Sequence, residues 1–189
     1  MNYDIIFLLE ERSTQNVLEV LLPKLIPEPI TYRCIPHRGK QDLAKAIPGI
    51  IRAFSFSPST KFVIVHDQDS HDCKKLKAEL SQLCQNPDNR KILIRIICHE
   101  LESWFLGDLA AVENAYKLST GSLSKLQNKN KFRNPDRLNS AKQEIKKLVP
   151  EYYAGTHSKQ IAPHLSVSRN ASHSFQVFCS GIKKLIKGS

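Results

Sequence analysis

Four short apolar runs, each separated from the next by a stretch with helical spacing, restrict this 189-residue chain more than any other feature. They occupy residues 3–9, 30–35, 62–65 and 91–98. Each has strand length, is rich in Ile, Val, Leu or Phe, and reads as a buried strand. Between them, Val17, Leu18, Leu21, Leu22 and Leu25 form one helical stripe, and Leu43, Ala46, Ile47, Ile50, Ile51 and Phe54 form a second. Leu76, Leu80 and Leu83 form a third. Ser13 or Thr14 is expected to cap the first helix, Pro27 and Pro29 to stop it, and Pro87, Asp88 and Asn89 to turn the chain into the fourth strand. Such alternation implies right-handed crossovers and an α/β fold, a mainly parallel four-stranded sheet flanked by helices on both faces.

Three of the four apolar runs end in acids. Glu10 and Glu11 follow the first, Asp67 and Asp69 the third within KFVIVHDQDSHD at 61–72, and Glu100 and Glu102 the fourth. In a parallel sheet the C-terminal strand ends share one edge, and ligands bind there. If the backbone stays extended, Asp67 and Asp69 leave the same side, roughly 6 to 7 Å apart at about 3.3 Å rise per residue. Hard divalent cations take oxygen ligands of this kind, and Mg²⁺ is usually held by one or a few carboxylates together with substrate phosphate. Glu10, Asp67, Asp69 and Glu102 are therefore the expected metal ligands and catalytic residues for Mg²⁺ or Mn²⁺, with Glu10 either a ligand or a general base. Glu11 and Glu100 are accessory candidates. Asp72 reads as a helix cap, and His66 and His71 as turn or supporting residues. Zinc held by Cys73, His66 and His71 is disfavoured, because structural zinc sites gather four closely spaced ligands.

Charge divides the chain. The net charge is +10, yet residues 1–108 hold 14 basic and 14 acidic side chains, against 14 and 4 in residues 109–189. A basic half beside clustered carboxylates suits a metal-dependent enzyme acting on phosphate-rich substrates. Residues 104–116 read as one helix, and 119–139 as a polar, exposed segment. Its Lys125, Lys129, Lys131, Arg133 and Arg137 are the expected nucleic-acid contacts. Further helices are expected over 141–149, 157–165 and 175–186, the last capped by Ser172 or Ser174. Residues 1–118 are thus expected to form the α/β domain and 119–189 a basic, mainly helical extension packed on or beside it. His157, Lys159 and His173 are accessory candidates from that extension. No apolar run approaches the ~20 residues of a membrane span. The first run is flanked by acids rather than by a basic segment, and the five cysteines form no CxxC pair. No membrane association and a reducing cytoplasm are expected.

FLLEE at 7–11, VIVHDQD at 63–69 and HELESWFLGD at 99–108 resemble the glutamate and DxD motifs of the Toprim superfamily. More narrowly, nearly the whole chain, including SHSF at 172–175, resembles the bacterial family called domain of unknown function 4276. The resemblance implies a Toprim-like (Rossmann-like) fold, with Glu10 as the motif glutamate and Asp67 and Asp69 as metal ligands. It also implies an Mg²⁺-dependent nuclease acting on DNA or RNA, with an ABC-type ATPase as partner in phage defence. Toprim glutamates are commonly followed by glycine. Here Glu11 holds that place, adding a charge where the turn is tight. A competing expectation is a non-catalytic nucleic-acid-binding or complex-forming subunit with a degenerate site. A haloacid-dehalogenase-type phosphatase is less favoured, because its DxD lies on the first strand.

Overall fold

Four parallel strands, β1 (Ile5–Leu9), β2 (Tyr32–Pro36), β3 (Lys61–Asp67) and β4 (Ile92–Ile97), lie in the order β2-β1-β3-β4. The computed structural model describes residues 3–84 and 90–187, so the turn expected at Pro87, Asp88 and Asn89 lies outside the described residues. Register is continuous: Ile5 faces Tyr32 on one side and Lys61 on the other, and Phe62 faces Ile92.

Successive strand side chains point to opposite faces, and the residues of β1 divide accordingly. Ile5, Phe7 and Leu9 join Val17, Leu18 and Leu21 of α1 (Arg12–Leu21) in one core. Ile6 and Leu8 join Leu43, Ile47 and Ile51 of α2 (Lys40–Ala53) and Leu76 and Leu80 of α3 (Cys73–Leu83) in the other. The chain therefore forms the expected α/β sheet flanked by helices, with a helical C-terminal region. α4 (Glu102–Leu106) and α5 (Leu109–Ala115) follow the sheet, and the C-terminal region contains α6 (Ala141–Leu148), α7 (Ala154–Ile161) and α8 (His173–Lys187). Trp104, Ile145, Tyr152, Ile161, Phe175 and Phe178 belong to the same buried cluster as Phe7 and Val63. No helix among the described residues is long and apolar enough to cross a membrane.

Three local expectations are corrected. α1 begins at Arg12 with Glu11 as its N-cap, so Ser13 and Thr14 lie buried inside the first turn, and Ser13 Oγ donates to the Glu11 carboxylate. The stretch 104–116 is two helices rather than one. Its break at Gly107-Asp108 is fixed from outside: the buried Asp108 carboxylate caps Ala111 N–H, accepts from Ser166 N–H at 2.9 Å and takes a two-pronged contact from Arg169. A Cβ on Gly107 would lie 2.2 Å from Asn170 Oδ1, so the close approach requires glycine. Asp69 is the third: β3 ends at Asp67, and the Asp69 backbone is left-handed rather than extended.

The SHSF segment docks α8. Ser172 Oγ accepts from Phe175 N–H as the cap, Ser172 Oγ and Ser174 N–H both donate to Asp136 at 2.7 Å, and Trp104 Nε1 donates to Ser174 Oγ at 3.1 Å. The polar segment over 119–139 is also tied down. Glu113 accepts from the N–H groups of Ser124, Gly121 and Leu123, which pull its pKa down to about 2. Gln127 donates to the carbonyls of Leu106 and Phe132 and accepts from Leu109 N–H.

Candidate carboxylate site

β1 and β3 are neighbours in space but not in sequence, and the strand order reverses between them. A crevice outside the C-terminal ends at such a reversal is where open α/β sheets bind ligands. Glu10 directly follows β1, and Asp67 ends β3. Glu10 Oε2 accepts from Asp67 N–H at 3.0 Å and lies 3.0 Å from Nδ1 of buried His66. His66 Nδ1 is also 2.5 Å from the Asp67 carbonyl. Both neighbours are acceptors, so Nδ1 carries the proton and donates. Asp67 Oδ2 accepts from Leu101 N–H at 3.2 Å, whereas Asp67 Oδ1 is buried with no hydrogen-bond partner among the described residues.

Three further acids act on this pair. Burial drives the Asp67 pKa well above the ordinary carboxylate range, and the charges of Glu10, Glu11 and Glu102 push the same way. Glu10 is raised chiefly by burial and further by Asp69 and Glu11, against the lowering effect of His66 and the Asp67 N–H. Glu102, the first residue of α4, is buried and raised by that burial, while the Tyr152 hydroxyl donates to it at 2.9 Å and partly offsets the rise. The helices α1 to α4 all begin at this edge, so their unpaired N–H groups add a positive field beside the acids.

Asp69 departs from its expected place. Its backbone is left-handed (φ 50°), because Asp69 N–H turns to the His99 carbonyl at 2.8 Å, and His99 is itself left-handed (φ 56°). The strand ends at Asp67, so the extended geometry that would put both aspartates on one side is not present. Exposed Asp69 instead lies 3.7 Å from Lys40 Nζ. With Ser70, His99, Glu100 and Asn139 it lines a cleft of about 560 Å³ at the rim. Non-glycine residues in this conformation are sparse and cluster at functional sites.

The accessory candidates separate. Glu11 is exposed at the α1 cap but acts electrostatically on Asp67, and Glu100 accepts from Lys142 N–H at 2.8 Å. His157 accepts from Tyr153 N–H through Nδ1 and packs against Tyr116 and Tyr152, so it supports the residue that holds Glu102. Lys159 and His173 are exposed, and among the described residues no hydrogen bond or ion pair joins either to the acids. Lys125, Lys129, Lys131, Arg133 and Arg137 are all exposed, with Lys131 paired to Glu144 at 2.5 Å. Sequence reasoning missed Tyr152 as a rim residue. Tyr152 is 50 residues from Glu102, and no local spacing marks it.

The donor set is oxygen-rich, which suits a hard divalent cation and not zinc. Among the described residues no group of three or more His, Cys, Asp or Glu side chains is already gathered to hold a metal ion. The orphaned Asp67 Oδ1 beside Glu10 nevertheless fits one. Two carboxylates completed by water and substrate phosphate is a usual way to hold Mg²⁺, and a cation there would offset the mutual repulsion of the acids.

A family model described as "Domain of unknown function (DUF4276)" matches residues 9–183. No curated protein and no solved structure matches the chain.

Proposed function

Since the chain belongs to the family described as domain of unknown function 4276, a description that assigns no chemistry, we propose its function from the rim itself: divalent-metal-dependent hydrolysis of phosphodiesters in DNA or RNA. The observation that carries this reading is the buried, unpartnered Asp67 Oδ1 beside Glu10 at the β1/β3 reversal. An uncompensated buried carboxylate is costly, and such costs are retained where function needs them. The finer assignment to a Toprim-type nuclease rests on the order of the motifs, a glutamate after the first strand and DxD after the third. On the same ground an ABC-type ATPase is the proposed partner, phage defence the proposed setting and the cytoplasm the proposed location.

Glu10 and Asp67 would hold Mg²⁺ or Mn²⁺, with Asp69 and Glu102 at its margin. When bound, the ion supplies Lewis-acid polarisation of a phosphoryl oxygen and lowers the pKa of a water. His66 and the Asp67 N–H fix Glu10 Oε2, and the Leu101 N–H fixes Asp67 Oδ2, so both carboxylates are oriented before substrate arrives. Tyr152 holds Glu102 in the same way. Lys40, at the start of α2, and the neighbouring helix N-termini attract the substrate phosphate to this edge.

Purified protein incubated with Mg²⁺ or Mn²⁺ and mixed DNA and RNA tests the proposal. Cleavage is expected to fall at least about 100-fold in Asp67→Ala and Glu10→Ala, and less in Asp69→Ala, whose side chain is exposed. Cleavage that persists in Asp67→Ala and Glu10→Ala rules out this site. One observation favours the second reading, a non-catalytic nucleic-acid-binding subunit: Asp69 turns toward Lys40 rather than toward Asp67. That reading predicts salt-sensitive binding without any response to metal.

A further inference from the structure

A second charged feature lies away from the rim, against the N-terminal half of β4. Among the described residues β4 is an edge strand, paired with β3 alone. Its alternation sends Ile92 and Ile94 toward the α3 core and Leu93 and Ile97 toward the core that includes α8. Arg95 therefore faces α8. On α8, Val177, Gly181 and Lys184 recur at i, i+4 and i+7 and share one face. The Arg95 side chain crosses that face, Nε donating to the Val177 carbonyl at 3.2 Å and Nη1 to the Ile94 carbonyl at 2.9 Å. Glycine at 181 is what admits it, because a Cβ there would lie 2.2 Å from Arg95 Nη2. The guanidinium is thus held in one orientation before any ligand arrives, and its burial pushes its pKa down.

Around this fixed fork the chain gathers cations. Arg90, Lys91, Arg95 and Lys184 line an open cleft of about 650 Å³ whose walls include Leu93 and Leu185. No carboxylate is among the described residues that line it. Arg90 is buried and donates to the Ile51 carbonyl, so it adds charge rather than a reachable donor. Lys61 donates to the Leu185 carbonyl at 3.2 Å, and its pKa is lowered by burial and by the charge of Lys91, against the raising effect of Asp4.

We propose that the cleft between β4 and α8 binds the phosphate groups of nucleotides, presented either by a free nucleotide or by a nucleic-acid backbone. A guanidinium fork in a set orientation matches phosphate geometry, and Lys91 and Lys184 add point charges on either side. The volume lies within the roughly 300 to 1,000 Å³ of ligand clefts, and the apolar wall offers a surface for a base. The site stands apart from the carboxylate rim and does not rest on any activity there.

The test uses the full chain in EDTA at low salt, which removes any metal-dependent contribution from the rim. Two probes are titrated, a fluorescein-labelled single-stranded oligonucleotide and a fluorescent nucleoside triphosphate. Lys91→Glu/Lys184→Glu is compared with wild type and with a charge-matched control, Lys45→Glu/Lys77→Glu, which reverses exposed residues on α2 and α3. Affinity is expected to fall at least about 10-fold in the cleft variant, with a salt slope shallower by about one unit, and to change by less than about 3-fold in the control. Loss for both probes assigns the cleft to free nucleotide as well as backbone phosphate, and loss for the oligonucleotide alone assigns it to the backbone. Where the double variant does not fold, Lys184→Glu alone, at an exposed position of α8, is expected to lower affinity about 3-fold or more. The proposal is overturned if wild type binds neither probe, if the cleft variant binds as wild type does, or if the control loses as much.

Discussion

Replacing Asp67 by Asn is expected to make the metal-free protein more stable while abolishing its response to divalent cations. Asp67 Oδ1 is buried and has no partner among the described residues, and Glu10, Glu11 and Glu102 all disfavour the aspartate's charge. An amide keeps the shape and the Leu101 contact but removes the charge. A buried polar group left unsatisfied costs about 1 to 3 kcal/mol, and more when charged; the amide keeps the first cost and removes the excess, so a gain on the order of 1 kcal/mol is expected. In a chain of this size it appears as roughly 2 to 4 °C in Tm for each kcal/mol. The pH dependence has a definite sign. Because the folded-state pKa of Asp67 is raised, the folded protein holds this proton more tightly than the unfolded chain does, and stability falls as pH rises from the unfolded value of about 3.8 through the folded value. In chelator, Asp67→Asn should flatten that decline. Thermal denaturation at a series of pH values with and without Mg²⁺ measures both effects. A variant less stable than wild type in chelator would show that Asp67 is instead a structural residue whose charge is compensated.

Trp104→Ala is expected to cost about 3 to 5 kcal/mol, the range for truncating a large buried aromatic. Trp104 is fully buried, donates to Ser174 and packs edge-on against Phe175 at 5.2 Å, with Phe178 on a second side. Its loss leaves a cavity where α4 meets α8 and removes one hydrogen bond of the Ser174 hydroxyl, which keeps its contact with Ser172 Oγ. Because Trp104 belongs to the cluster that also contains Phe7 and Val63, the destabilisation should reach the sheet. Urea unfolding followed by circular dichroism measures it: the midpoint is expected to drop in one cooperative step. Retention of a sheet-containing intermediate after the C-terminal helices are lost would show that the two parts are energetically separate.

Much of the architecture is legible in the sequence because it is decided locally. Runs such as IIFLL and FVIV are buried on both faces, so their composition alone marks them as strands. Once the strands are parallel, their terminal acids must share an edge. Features set by distant partners are not legible in this way. Asp69 leaves the expected geometry because its N–H bonds the His99 carbonyl across the strand ends. The helix break at Gly107-Asp108 is enforced by Arg169, 61 residues beyond Asp108, and by Asn170. Ser13 and Thr14 have the chemistry of caps, but the chain turns so abruptly after Glu10 that Glu11 takes the position. For the site, Glu10 and Asp67 meet through strand ends that sequence periodicity can locate, and Glu102 acts on Asp67 from the start of α4. The partners that orient them, Tyr152 and the N–H of Leu101, arrive through packing that periodicity does not encode.

Calorimetric titration of Mg²⁺, and separately Mn²⁺, into wild-type protein and into Glu10→Gln and Asp67→Asn tests whether the carboxylate rim is a cation site. Saturable binding is predicted for wild type, with loss of at least about 10-fold in affinity in each variant. Wild-type protein that binds neither ion, or variants that bind as wild type does, would contradict the assignment of Glu10 and Asp67 as metal ligands.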